Sequence, residues 1–227
     1  FEWDDAFSRF RAQEPAPCSP PVDTYSIEAD ASAASYFLAL PFVTGGTIRV
    51  DGFDRDGLQG DTAFVGILKE IGGYCQNLRD GVEMRYPGAL LHPASWNFHA
   101  ISDTFMTLAA ISPLLPKPIE IRGIGHTRRQ ESDRVSAVVA ELQRLGQEVE
   151  EFEDGLKIFP NRKNLVEIAR EGVAIETYED HRIAMSFSIL GCWDALGEGT
   201  PWMTIINPGC CAKTYPKFFD DLASLRL

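Results

Sequence analysis

Four short stretches of this chain place acids and bases where helices should begin. The densest is Arg128-Arg129-Gln130-Glu131-Ser132-Asp133-Arg134. Glu179-Asp180-His181-Arg182 is a second, Ile101-Ser102-Asp103-Thr104 a third, and Cys210-Cys211-Ala212-Lys213-Thr214-Tyr215-Pro216 a fourth. A carboxylate in a helix's first turn suits the positive end of the dipole, and Ser132 or Asp133 fits a cap. A guanidinium there opposes the dipole, so Arg134 and its neighbours point to an anionic partner. Guanidinium forks and free backbone N–H groups both suit phosphate or carboxylate. Any one of these runs alone reads as a solvated charged surface. Gathered at one end of a fold, Arg134, Arg182 and Lys213 make a cationic pocket with Asp103 and Glu131 beside it. Such a set can hold phosphorylated anions and move protons. His181 reads equally as an acid–base group and as a capping or packing histidine.

Whether these residues meet depends on the elements that carry them. Helix-like apolar runs open on Asp30, Asp103 and Asp180, at spacings of 73 and 77 residues. A fixed period marks a copied structural unit. In the first copy a strand over 25–27 precedes a helix over 30–40, with Asp30 or Ser32 as its N-cap. Gly45-Gly46 makes a turn, 47–50 alternates as a strand, and a helix follows Gly60-Asp61 and ends at Gly72-Gly73. Residues 74–78 and 82–86 then flank Arg79-Asp80-Gly81 as a hairpin. The second copy reads as a strand over 96–100, a helix over 103–112, a strand over 118–122 and a helix over 132–145. A hairpin of 147–152 and 156–159 closes it around Glu153-Asp154-Gly155. The third has a strand from Val173, a helix over 180–192, a strand over 202–206 and a helix over 214–225 with Pro216 in its first turn. No hairpin follows. The expected fold is α/β, built of repeated βαβαββ units, the third unit incomplete.

Composition bounds what such a pocket serves. The 227 residues carry 33 acidic and 21 basic side chains, a net charge of −12. That balance speaks against nonspecific nucleic-acid binding and makes an anionic substrate depend on a local cationic site. Apolar content of 44% and charged content of 24% are ordinary for a soluble globular chain. No apolar run approaches a membrane span, and the opening residues lack the basic-then-apolar pattern of a signal peptide. The five cysteines, Cys18, Cys75, Cys192, Cys210 and Cys211, show neither zinc spacing nor an even disulfide framework. They read as small buried thiols in a reducing cytoplasm. Residues 1–23, with Pro15, Pro17, Pro20 and Pro21, read as a remnant of another domain and a linker, and 24–227 as the domain proper.

Several of these segments carry a resemblance in their order along the chain. Ile27-Glu28-Ala29-Asp30-Ala31-Ser32-Ala33-Ala34-Ser35-Tyr36-Phe37, Gln59-Gly60-Asp61, Ser102-Asp103 and Gln130-Glu131-Ser132-Asp133-Arg134 are the first four. Tyr178-Glu179-Asp180-His181-Arg182-Ile183-Ala184-Met185 and Ala212-Lys213-Thr214-Tyr215-Pro216 complete the set. Together they resemble the 5-enolpyruvylshikimate-3-phosphate synthase family, over nearly the whole of this chain but only the C-terminal half of the family's length. The resemblance implies an inside-out barrel domain, with helices inside and sheets outside, and a cytoplasmic enzyme of the shikimate pathway. It would transfer the enolpyruvyl group of phosphoenolpyruvate to the 5-hydroxyl of shikimate 3-phosphate, by addition and elimination, with no metal or organic cofactor. It implies Asp103 as the base at the shikimate hydroxyl and Glu131 as the group working on the methylene proton. Arg134, Arg182 and Lys213 would hold phosphoenolpyruvate, with Lys213 also an acid. Gln130 stands where many members have a lysine against shikimate 3-phosphate, and its amide can still donate a hydrogen bond. The implied partner is an N-terminal half that closes over the substrates and supplies the third unit's hairpin, so the chain alone is expected to be inactive or weak. Other readings of the same residues are a noncatalytic anion-binding module and a structural remnant of that fold.

Overall fold

Local signals in the sequence account for most of the elements in the computed structural model, which describes residues 2–3, 10–11, 24, 27–88 and 92–225. Two short strands, β1 (Glu2–Trp3) and β2 (Phe10–Arg11), pair antiparallel. The first unit opens with α1 (Ala31–Ala39), capped by Asp30, whose carboxylate accepts the Ala33 N–H at 3.0 Å. A single turn, α2 (Pro41–Thr44), ends on Gly45 in the left-handed region at φ 74°. Then come β3 (Thr47–Asp51), α3 (Phe64–Glu70) and the hairpin β4 (Tyr74–Leu78) and β5 (Gly81–Arg85). The second unit runs β6 (Ala94–Asn97), α4 (Phe105–Ile111), β7 (Ile119–Arg122), α5 (Arg134–Arg144), β8 (Glu148–Phe152) and β9 (Gly155–Phe159). After α6 (Arg162–Glu171), the third has β10 (Val173–Ile175), α7 (His181–Gly191), β11 (Met203–Ile205) and α8 (Phe218–Ser224).

Strand pairing bears out the repeat. The sheets are ordered β3-β5-β4 and β6-β7-β9-β8, each with its hairpin joined antiparallel through the second hairpin strand. In both parallel pairs, β6 with β7 and β10 with β11, a buried helix makes the crossover. The recurring Asp-Gly turn has a steric cause. A Cβ on Gly81 would sit 2.2 Å from the Val50 carbonyl oxygen, and one on Gly155 2.1 Å from that of Ile121.

The first helices of the units form the centre. All seven residues of α4 are buried, as are nine along α7, and the two pack against each other and against α1. Ser35 and Thr107 hydroxyls meet at 3.1 Å inside this layer. The sheets lie outside, and β8 exposes Glu148, Glu150 and Glu151. Among the described residues no helix is long and apolar enough to cross a membrane.

Four expectations shift. Residues 25 and 26 of the first expected strand lie outside the described residues, and Ile27 is in a loop. The strand expected over 96–100 is β6, ending at Asn97, because 99–104 wind into a 3-10 turn instead. That turn holds Asp103, so Asp103 does not cap α4. Its carboxylate is taken by arginines, whereas Asp30 and Asp180 do cap their helices. The sequence reading did not foresee α6. Asn161 caps it by accepting the Asn164 N–H at 3.1 Å, and Leu165 and Ala169, four residues apart, anchor its inner face. Finally, residues 208–213 form a 3-10 turn and α8 begins only at Phe218, which leaves Pro216 in the connecting turn rather than in a helix.

Candidate active site

The helix starts do gather at one end, and Arg134 joins them. It is the first residue of α5, and its side chain is 3% exposed. Its Nε donates to Asp180 Oδ2 at 2.8 Å and its NH1 to Asp103 Oδ1 at 3.1 Å and to Gln130 Oε1. Glu131 lies 3.8 Å from its NH2. Asp103 spends its other oxygen on Arg182, 2.8 Å away. Glu131 receives Lys213 Nζ at 2.6 Å on one oxygen and His181 Nδ1 at 2.8 Å on the other. Asp103, Gln130, Glu131, Arg134, Arg182 and Lys213 therefore all meet, drawn from the second and third units and from stretches up to 110 positions apart in number.

The electrostatics fix protonation states. Partial burial works to raise the Glu131 carboxyl, but Lys213 and His181 outweigh it and hold it below the usual carboxylate range. Burial likewise works against ionised Asp180, and the Arg134 guanidinium with the Arg182 N–H prevails, keeping it low. Burial depresses His181 as a base, Glu131 opposing in part, so the imidazole is biased to its neutral form. Ionised Glu131 can only accept, hence His181 Nδ1 carries the proton. Its Nε2 is left as a buried lone pair with no hydrogen-bond partner among the described residues. Burial pushes the Tyr36 phenol up, and Arg182, ion-paired with Asp103, stays charged.

Other candidates fall away from the chemistry. Arg128, in the densest charged run, turns outward to Glu151 at 2.7 Å, the Phe152 carbonyl at 2.7 Å and Asp133, pinning the start of α5 to the hairpin. Asp133 is the α5 cap, accepting the Ser136 N–H at 3.0 Å. Burial pushes the Cys211 thiol up to about 12, so it is no thiolate beside Lys213. Glu131, Asp180 and His181 present ligand atoms within 4.8 Å of one another and are the residues that could hold a metal ion. Lys213 and Arg134 already balance their charge.

Sequence reasoning left Asp180 and Ser132 outside the site. Asp180 is wholly buried and holds Arg134 while capping α7, and Ser132 donates to it at 3.1 Å. The available signal was a carboxylate directly before His181-Arg182 at a helix start. The arrangement as a whole offers three cations on shared carboxylates, one ionised acid flanked by a neutral imidazole, and a second carboxylate between two guanidiniums. An entering anion can draw the cations, freeing Asp103 and Glu131 for proton transfer.

Comparison with known proteins follows the same lines. The family model of EPSP synthase (3-phosphoshikimate 1-carboxyvinyltransferase) matches residues 14–222. A 3-phosphoshikimate 1-carboxyvinyltransferase of Opitutus terrae is 52% identical over 204 residues, 89% of this chain and 43% of that protein. One of Nostoc punctiforme is 42% identical over 195 residues, 86% of this chain and 42% of its own length. The chain thus spans less than half the length of these relatives. Among solved structures, EPSP synthase from Acinetobacter baumannii aligns with a TM-score of 0.63 at 20% identity, over 86% of this chain and 45% of that one. The enolpyruvyl transferase NikO from Streptomyces tendae gives 0.63 at 18%, over 88% and 43%. At such identities these two show a shared fold.

Proposed function

The chain belongs to the EPSP synthase family, and we propose that within its whole protein it supplies the acid–base and anion-binding groups for enolpyruvyl transfer. The substrates in this reading are phosphoenolpyruvate and shikimate 3-phosphate. Asp103 takes the proton of the 5-hydroxyl as its oxygen bonds to C2 of the enolpyruvyl group, while C3 gains a proton from Lys213. Glu131 then removes a C3 proton as the C2–O bond to phosphate breaks, restoring the double bond and releasing phosphate. Arg134, Arg182 and Lys213 hold the carboxylate and phosphate of phosphoenolpyruvate through both steps. Gln130 and Asp103 face shikimate 3-phosphate. Residues 1–23 belong to the other domain, and the remaining half of the protein covers the substrates.

One observation carries this reading: Arg134, Arg182 and Lys213 converge on Asp103 and Glu131 at a single end of the fold. The test mixes the 227-residue chain with the rest of the protein, produced separately, and measures phosphate release from both substrates. Turnover is expected with both pieces and is lost with Asp103→Asn or Glu131→Gln. Two folded pieces that bind phosphoenolpyruvate yet release no phosphate would make the chain an anion-binding module instead.

A further inference from the structure

Helix α5 grips the turn before α7 at two places. At its start Arg134 holds Asp180. Two turns later Glu141, fully buried, reaches the same turn. Its Oε1 accepts the Tyr178 hydroxyl at 2.8 Å and its Oε2 the Glu176 N–H at 3.2 Å. Between these contacts the backbone does something uncommon. Tyr178 and Glu179 both adopt left-handed conformations, φ 54° and 58°, and neither is a glycine. Side-chain-bearing residues avoid that region and persist there only when their surroundings over-determine it. The Asp180 N–H returns to the Thr177 carbonyl at 2.8 Å and closes the turn. The next three residues are Asp180, His181 and Arg182.

A buried carboxylate is expensive unless it is paired and hydrogen-bonded. Arg144, 3.1 Å away, satisfies part of Glu141, but its own side chain is 47% exposed. The other two bonds leave the helix for the turn. We propose that Glu141 is a positioning residue: by holding residues 176–179, with Tyr178 and Glu179 left-handed, it aims Asp180 at Arg134, His181 at Glu131 and Arg182 at Asp103. The catalytic part of this inference rests on the function proposed above; the structural part does not.

The test uses the full-length protein with Glu141→Gln, Tyr178→Phe, and each combined with Glu179→Gly. Glutamine keeps the shape of Glu141 but presents an amide where an acceptor is needed. Amide hydrogen exchange should rise over 176–183 while the rest of α5 and α7 keeps its protection. With phosphoenolpyruvate and shikimate 3-phosphate, kcat/KM for phosphoenolpyruvate should fall about tenfold, mainly through KM. Adding Glu179→Gly should recover at least about a third of the lost kcat/KM, because glycine holds the left-handed turn without the clamp. Exchange that rises across the whole domain, with no rescue by glycine, overturns the proposal in favour of a general stabilising role. Increased local exchange with unchanged kcat/KM overturns it as well. Should Glu141→Gln not fold, Tyr178→Phe decides, since it removes one hydroxyl from a ring that is 40% exposed. A parent protein that does not turn over refutes the functional reading, and the exchange pattern still settles the positioning.

Discussion

Arg134 touches acceptors from three parts of the chain: Gln130 and Glu131 just before it, Asp103 from the second unit and Asp180 from the third. Removing it strands Asp180, a fully buried carboxylate, without its countercharge. Arg134→Met keeps the bulk and should destabilise the protein by about 3–5 kcal/mol in urea unfolding. Asp180→Asn in the same chain should restore much of that loss, so fully additive losses would contradict this account. Lysine is no substitute, since one ammonium cannot span acceptors arranged around a planar fork. The pH response follows from the same cluster. His181 has a folded pKa below its ordinary 6.5, so on acidification the unfolded chain takes up this proton first. Stability is therefore whole above about pH 6.5 and declines as pH falls toward the folded value. Asp180 and Glu131, both held low, are protonated first in the unfolded chain as well, and add their losses below about pH 4.5. Thermal midpoints should thus fall from pH 7 to pH 5, and less steeply in His181→Asn; a flat or rising profile in the parent would refute the assignment. The five charged residues were legible because each falls where the sequence marks a helix start, and their types there oppose or suit a dipole locally. Glu141 was not, because what makes a buried acid tolerable is a phenol and an amide 35 to 37 positions away.

The hairpins test the copied unit at the scale of elements. Gly81 and Gly155 occupy matching places, each opening the second strand of its hairpin with its Cα against the carbonyl of the neighbouring strand. The clash met by a Cβ there is with backbone, which cannot rotate away. Gly155→Ala should therefore cost about 1–3 kcal/mol or more by overpacking, read as a lowered thermal midpoint. Gly66→Ala is the control, because a Cβ there meets nothing within 4 Å and the site is inside α3. Equal midpoints for the two variants would show that the strands yield and that the Asp-Gly turns recur for another reason. Hairpins, alternating strands and capped helices were readable from sequence because turn residues and periodicity are local properties. The start of α4 was not: Asp103 before an apolar run marks a helix start at 103, yet Asp103 is drawn to Arg134 and Arg182 and α4 begins only at Phe105. The omission of α6 has a different cause. Its sequence is rich in charge, and only Leu165 and Ala169 are fully buried, so its apolar stripe is narrow.

At the scale of the molecule, the three units differ in how their sheets end. In the first two, the strand that follows the central helix is covered by a hairpin, β5 on β3 and β9 on β7. In the third, β11 pairs only with β10 among the described residues. The Val173 N–H donates to the Trp202 carbonyl at 3.0 Å and the Ile206 N–H to the Ile175 carbonyl at 2.9 Å. Backbone direction alternates along a strand, so Trp202, Thr204 and Ile206 turn toward β10 while Met203 and Ile205 turn their N–H and C=O groups outward. An open edge of this kind invites another strand. Beside it lies an apolar hollow lined by Ile205, Pro208, Cys211 and Phe219, next to the turn that carries Lys213. If the rest of the protein closes the third unit as β9 closes the second, two sets of amides must respond differently. Thr204 and Ile206 should exchange slowly both in the 227-residue chain and in the full-length protein. Met203 and Ile205 should exchange quickly in the chain at low concentration and slowly in the full-length protein. Increasing the concentration of the chain should slow only that second pair if copies associate through β11. Met203 and Ile205 exchanging at one rate in both proteins would show that this edge stays open, and that whatever completes the site is seated elsewhere.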